Sequence, residues 1–286
     1  MLFGISISPN WANQDEITRA VEMADVGGLD LVGIQDHPYQ WRFYDTWTLI
    51  SYLAGITSRV RFFPDVINLP LRPPAILAKS AASLDVLTSG RLELGLGAGG
   101  FWDAVVAMGG PRREPAAAFE AFEEALDVIR LVWSGDRGVR YDGRHYQLAG
   151  LHTGPQPAHD IQIWVGAGGP RMLSLIGRKG DGWVPSSGWA GDEELREGMA
   201  RIGEAASEAG RDPVSISCVY NVAGTIDADG PGAGFDGPAG YWLERLDDLA
   251  ALGVAAVVFW PKDDQLEQQV ERFAEDVASP FRELSA

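Results

Sequence analysis

The chain has 286 residues, 46% of them hydrophobic and 22% charged, with a formal net charge of −17. That length suits one barrel or two small domains around a large core. The acidic balance argues against nucleic acid and anionic membrane as partners, because nothing offsets phosphate repulsion globally. One cysteine, Cys218, excludes an internal disulfide and a thiolate metal cluster, and it reads as core packing. No basic signal segment follows Met1 and no apolar run reaches membrane length, so a cytoplasmic protein is expected.

Leu2 to Ser8 reads as a buried strand. A helix capped by Asn13 or Asp15 runs to about Asp25, with Ile17, Val21 and Ala24 at helical spacing, and Gly27-Gly28 ends it. Strand two, Leu29 to Gln35, runs into Asp36-His37-Pro38-Tyr39, where Pro38 keeps His37 in extended backbone. A helix from Asp45 to Thr57 and strand three, Val60 to Val66, follow. A loop carrying Pro70, Pro73 and Pro74 leads to a helix from about Ile76 to Leu87, closed by Gly90. Strand four, Arg91 to Leu96, places Leu92, Leu94 and Leu96 on one face, and Glu93, Gly95 and Gly97 on the other.

The glycines at 95, 97 and 100 match the spacing of a dinucleotide-binding turn, but Phe101 to Arg113 carries no clear helix start. The alternative is steric: bare glycine on a strand face admits a ligand or another backbone. Phe101 to Glu114 reads as an insertion. Pro115 to Ser134 is a helix, with Phe119, Phe122, Leu126, Ile129 and Val132 on one side. Val139 to Leu148 reads as a hairpin turning at Asp142-Gly143. Strand five, Ile161 to Gly166, precedes a helix opened by Gly168-Gly169-Pro170 and ended by Gly180. A short strand from Asp181 to Val184, a helix from Asp192 to Ala209 and strand seven, Val214 to Val219, come next. A glycine-rich loop from Thr225 to Pro238, a helix from Gly240 to Leu252, strand eight from Val254 to Trp260 and a helix from Gln265 to Val277 complete the chain. Eight strands alternating with eight helices predict a closed (β/α)8 barrel, with an open doubly wound sheet as the alternative. No linker-like break divides the chain, so residues 1–286 are read as one domain.

Barrel sites lie on the loops after the strands. Sorted by that position, Trp11 follows strand one; Asp36, His37, Tyr39 and Trp41 follow strand two; Asn68 follows strand three. Gly99, Gly100, Phe101 and Trp102 follow strand four, and Gly166, Gly168 and Gly169 follow strand five. Trp183 and Trp189 flank the end of strand six, Asn221 follows strand seven, and Trp260 ends strand eight. Six of the ten tryptophans therefore share one face, where flat apolar rings suit a planar ligand or simply cover the barrel end. His37 is the one histidine at a strand tip, and imidazole moves protons near neutral pH. Adjacent residues on a strand face opposite ways, so Asp36 need not pair with it. Gly168-Gly169-Pro170-Arg171 combines free amides and a positive helix end, a candidate anion site or an ordinary cap. No metal-ligand spacing appears.

Taken together, QDHPY at 35–39, the stretch from Val66 to Gly100 and IQIWVGAGGPRMLSLIGRKGDGW at 161–183 resemble the luciferase-like monooxygenase family. The nearest branch is its deazaflavin (coenzyme F420)-dependent oxidoreductases. The resemblance implies a (β/α)8 TIM barrel with insertions after strand four and before strand five, and a homodimer. It implies that Asp36 and His37 face the cofactor ring as catalytic residues. It also implies a non-proline cis peptide at or beside Asp65-Val66. The cofactor-binding set is then Asp65, Val66, Ile67, Asn68, Gly97, Gly99, Gly100, Gly166, Ala167, Gly168, Gly169 and Arg171. The substrate pocket is Trp11, Tyr39, Trp41, Phe101, Trp102, Trp189, Asn221 and Trp260. The sugar-phosphate dehydrogenases of that branch carry an acidic residue where Gly100 stands, so a small, rather apolar substrate is expected instead. The alternatives are an FMN-dependent monooxygenase and a non-catalytic flavin-binding barrel.

Overall fold

Short apolar strands alternate with amphipathic helices through the whole computed structural model, which describes residues 1–227, 229–262 and 265–284. β1 (Leu2–Ile7) leads through a 3-10 turn into α1 (Gln14–Val26), and β2 (Leu31–Ile34) into α2 (Thr46–Ile56). β3 (Arg61–Pro64) and β4 (Ile67–Asn68) precede α3 (Pro74–Thr88). β5 (Leu94–Gly97) is followed by α4 (Trp102–Ala107) and α5 (Pro115–Trp133). The hairpin β6 (Val139–Asp142) with β7 (Gln147–Leu151) comes before β8 (Ile163–Val165) and α6 (Pro170–Lys179). Then follow β9 (Gly182–Trp183), α7 (Asp192–Glu208), β10 (Ser217–Asp227), β11 (Asp236–Pro238), α8 (Ala239–Ala251), β12 (Val254–Pro261), α9 (Leu266–Arg272) and α10 (Ser279–Leu284).

Nine strands pair in the order β3-β2-β1-β12-β10-β9-β8-β5-β4, each neighbour parallel. Phe62 of β3 pairs with Leu92 just before β5, which joins the two ends of the path. β3 and β4 are two halves of one stave, so the ring has eight: a (β/α)8 barrel. Leu31, Phe63, Trp164, Val184, Val219, Ala256 and Val258 fill the bore. The opposite strand faces, among them Phe3, Ile5, Ile34, Leu94 and Leu96, pack under the helices. No helix among the described residues is long and apolar enough to cross a membrane.

Four segments differ from the sequence expectation. Strand three is interrupted between Pro64 and Ile67, and the Asp65-Val66 peptide there is cis, at the position the family resemblance implied. Strand seven is not Val214 to Val219: Pro213–Ser215 is a 3-10 turn, and β10 runs from Ser217 to Asp227. Its buried positions at Tyr220, Val222 and Ile226 keep a period of two through Gly224, whose missing side chain makes room for the Phe235 carbonyl. The expected loop from Thr225 to Pro238 thus begins as strand and ends as β11; Ala228 within it lies outside the described residues. Phe101 to Glu114 contains α4, six residues long and too short to show helical periodicity. The last helix breaks into α9, a π-helical stretch at Phe273–Ala278 and α10, where Pro280 withdraws a backbone donor.

Candidate active site

The parallel sheet points every strand's carboxyl end at one mouth, and His37 stands there just beyond β2. Its Nδ1 and the Tyr39 hydroxyl share a hydrogen bond at 2.8 Å. Phe101 closes the trio, edge-on to His37 with centroids 6.0 Å apart and 5.9 Å from Tyr39. Burial pushes the His37 imidazole below its ordinary value, with the Asp36 charge acting in the opposite sense. Burial pushes the Tyr39 phenol up.

Asp36 turns away from His37. Its buried carboxylate accepts the Asn68 backbone N–H at 2.9 Å and the Arg72 guanidinium at 2.8 and 3.1 Å. Arg72 also donates to Asp45 at 2.6 Å, and Asp45 caps α2 through the Thr48 N–H. One arginine therefore ties the loop after β2 to the loop after β4. Sequence reading missed Arg72; its signal was a lone charge inside the apolar run LPLRPP.

The glycines of strands four and five make room for the chain's own bulge. A Cβ at Gly95 would lie 2.0 Å from the Pro64 carbonyl, and Cβ atoms at Gly97 and Gly166 would lie 2.9 and 2.8 Å from Val66. Beside Val66, Asp65 sits inside the bore, accepting from Ser6 Oγ at 3.0 Å and from Asn221 Nδ2 at 2.8 Å. Burial raises its carboxyl pKa, and the two donors oppose that rise. Ser6, which strand parity places on the bore face, was also missed. Ile67 faces outward into the helix layer. The buried oxygens Asn68 Oδ1 and Asn221 Oδ1 have no hydrogen-bond partner.

The remaining residues spread around the mouth. Trp11 donates its indole N–H to the Trp41 carbonyl, with ring centroids 6.4 Å apart. Gly99 lies against Pro70 and Trp102, whereas Gly100 has open space around it. Gly168 and Gly169 are exposed at the start of α6, where no side chain caps the free amides. Trp189 lies over Gly168. Arg171 stacks on Phe119 at 4.2 Å. Trp260 borders a cavity of about 370 Å³ between the tips of β1 and β12, lined also by Ser6, Ser8 and Asn10. Trp183 is buried under this face: it packs against Gly198 of α7, lies 6.3 Å from Trp189 between ring centroids and donates to the Ala167 carbonyl at 2.6 Å. Of the other histidines, His159 bonds Asp85 and Glu93, and His145 bonds Glu120.

The chain is 28% identical over 235 residues to the F420-dependent glucose-6-phosphate dehydrogenase of Nocardia farcinica, covering 79% of this chain and 69% of that one. It is 37% identical over 182 residues to a phthiodiolone/phenolphthiodiolone dimycocerosates ketoreductase of Mycobacterium tuberculosis, covering 61% of this chain and 45% of that one. Among solved structures, an F420-dependent secondary alcohol dehydrogenase superposes with a TM-score of 0.87 at 18% identity, covering 98% of both chains. The luciferase-like monooxygenase model matches residues 3–229, which hold β1 through β10 and every residue of the mouth except Trp260, and the chain belongs to that family.

Proposed function

We propose that this protein is an oxidoreductase that uses coenzyme F420 to move a hydride to or from a small, rather apolar organic substrate. The observation that carries the catalytic part is His37: half-buried at the barrel mouth, its imidazole pKa lowered by that burial, with Nδ1 held by Tyr39. That leaves Nε2 to take a proton from a substrate hydroxyl, or to return one to a carbonyl oxygen. The relatives that are 28% identical and F420-dependent support the cofactor.

The residues present fit such a group. The unpartnered Asn68 and Asn221 oxygens are acceptors for a ring N–H, and the free amides of Gly168 and Gly169 at the start of α6 suit a phosphate. Val66 and the bulge would back the ring, and Asp65 would hold the bulge through Ser6 and Asn221. When bound, a deazaflavin supplies two-electron hydride chemistry. Asp36 acts here as a positioning residue, fixing the backbone of Asn68 and the loop of Arg72. Phe101, Tyr39, Trp41 and Trp11 line the substrate side. As in the family resemblance, two copies associate as a homodimer.

The test is a fluorescence titration of the protein with F420 and with FMN, repeated on His37→Ala. F420 binds in preference, and His37→Ala keeps its Kd while losing about 10²–10⁴-fold in kcat. Preference for FMN overturns the cofactor reading. Unchanged kcat in a folded, saturated variant removes His37 from the mechanism, and binding without turnover on any substrate leaves a binding barrel.

A further inference from the structure

The buried acids Asp36 and Glu93 pair with Arg72 and Arg61, and Asp25 and Asp85 accept rows of backbone amides. Asp65 has neither kind of help. Its two oxygens accept from neutral side chains, Ser6 Oγ at 3.0 Å and Asn221 Nδ2 at 2.8 Å, and no charged group among the described residues offsets it. The bore around it is apolar. Phe63, two residues earlier on the same stave, packs edge-on against Trp164 with centroids 5.2 Å apart, and both are sealed from water. Asp65 and Val66 are not fully covered. Two donors on two oxygens is the pattern of an ionised carboxyl, which only accepts. Burial raises its pKa, and the two donors oppose that rise. The carboxyl thus stands one residue before Val66, the side chain that would back the cofactor ring. A hydride brings two electrons and one proton, so its arrival adds one negative charge to that ring. A carboxylate with no cation beside it opposes the added charge.

We propose that Asp65 poises bound F420 toward giving up its hydride, so that the protein runs as a reductase of its substrate. This rests on the oxidoreductase reading above. In that direction the substrate gains a hydride and, through His37, one proton. The reduced cofactor gives up the hydride and releases one proton to solvent, so atoms and charge balance. Asp65 acts on the ring through its charge, and Ser6 and Asn221 hold that charge in place. Tighter binding of the oxidised form than of the reduced form is the same quantity as a stronger hydride donor, because a site shifts an equilibrium only by its differential affinity for the two states.

The test is binding rather than turnover. Tryptophan fluorescence of the protein is titrated without oxygen, with oxidised and with reduced F420, at about pH 8.5, well above the carboxylate range. The ratio of Kd for the reduced form to Kd for the oxidised form is about 10-fold larger in wild type than in Asp65→Asn, the effect of one charge acting across a partly screened site. Asp65→Ser, also uncharged and smaller, shows the same shift. A merely structural loss at this position weakens both forms together and leaves the ratio alone. On acidification the wild-type ratio falls to that of the variants as the carboxyl takes up a proton, in a window above its ordinary value of 3.8. The titrations of the cofactor itself are common to all three proteins. Equal ratios in wild type and both variants, or a wild-type ratio that grows on acidification, overturn the proposal and leave the cofactor reading standing. If neither form of F420 binds, the cofactor reading falls and the proposal with it.

Discussion

In the proposed mechanism the pH behaviour of the site follows from His37 and Tyr39. Burial lowers the imidazole pKa from 6.5, so the neutral base persists to lower pH than in water. With His37 as the proposed base, oxidation of a hydroxyl substrate needs that neutral form. Its rate is therefore flat through neutrality and falls only as pH drops through the depressed value, below about 6.5. Tyr39→Phe removes the bond to Nδ1 and lowers kcat about 3- to 10-fold, the worth of one neutral hydrogen bond, with little change in Tm. A pH–rate profile of kcat/KM on wild type and Tyr39→Phe checks both points. An acid limb above 6.5, or a wild-type kcat in the variant, contradicts them. At this scale the sequence showed His37 through its place at a strand tip. It could not show that Asp36 belongs to Arg72, because the two stand 36 residues apart in the chain.

The bulge between β3 and β4 presses closely on β5. The Pro64 carbonyl occupies the place of a Cβ at residue 95, and backbone cannot swing aside as a side chain end can. Gly95→Ala is expected to lose about 1–3 kcal/mol or more of stability, as overpacked cores do. Gly100→Ala, at the open end of the same turn, stays within about 0.5 kcal/mol of wild type. Denaturation midpoints for the two variants separate close packing from a merely glycine-rich loop; equal losses would refute the distinction. The run of glycines was plain in the sequence as a demand for space. That the occupants are the Pro64 carbonyl and the Val66 side chain came from the pairing of strands far apart in the chain.

The outside of the whole molecule carries its own apolar surface. α2 has no charged residue; a groove of about 600 Å³ between α2 and α3 is lined by Trp47, Ala54, Leu84 and Leu87 among others, and Tyr52 and Ile76 are exposed elsewhere on the same two helices. That face is the contact expected for the proposed homodimer. Sedimentation equilibrium at micromolar concentration reports a dimer, and Leu87→Glu shifts it toward monomer. A wild type that sediments only as monomer disproves the homodimer.

The alternation of short apolar strands with amphipathic helices determined a parallel βα architecture and favoured a barrel over an open sheet, because both periodicities are local and survive in a linear chain. So did the position of His37, since a barrel puts its strand tips on one face. Short elements escaped: α4 has too few residues to show a period, and β10 continues through Asn221 and Gly224, which read locally as breakers. Tertiary structure alone decided which groups meet across the bore. Asp65 finds Ser6 and Asn221, Val66 fills the space left by Gly97 and Gly166, and Trp183 is buried between Trp189 and Gly198 of α7. Those partners are separated by tens to more than a hundred residues. Closing the ring of strands brings them together, and no local pattern in the chain records that closure.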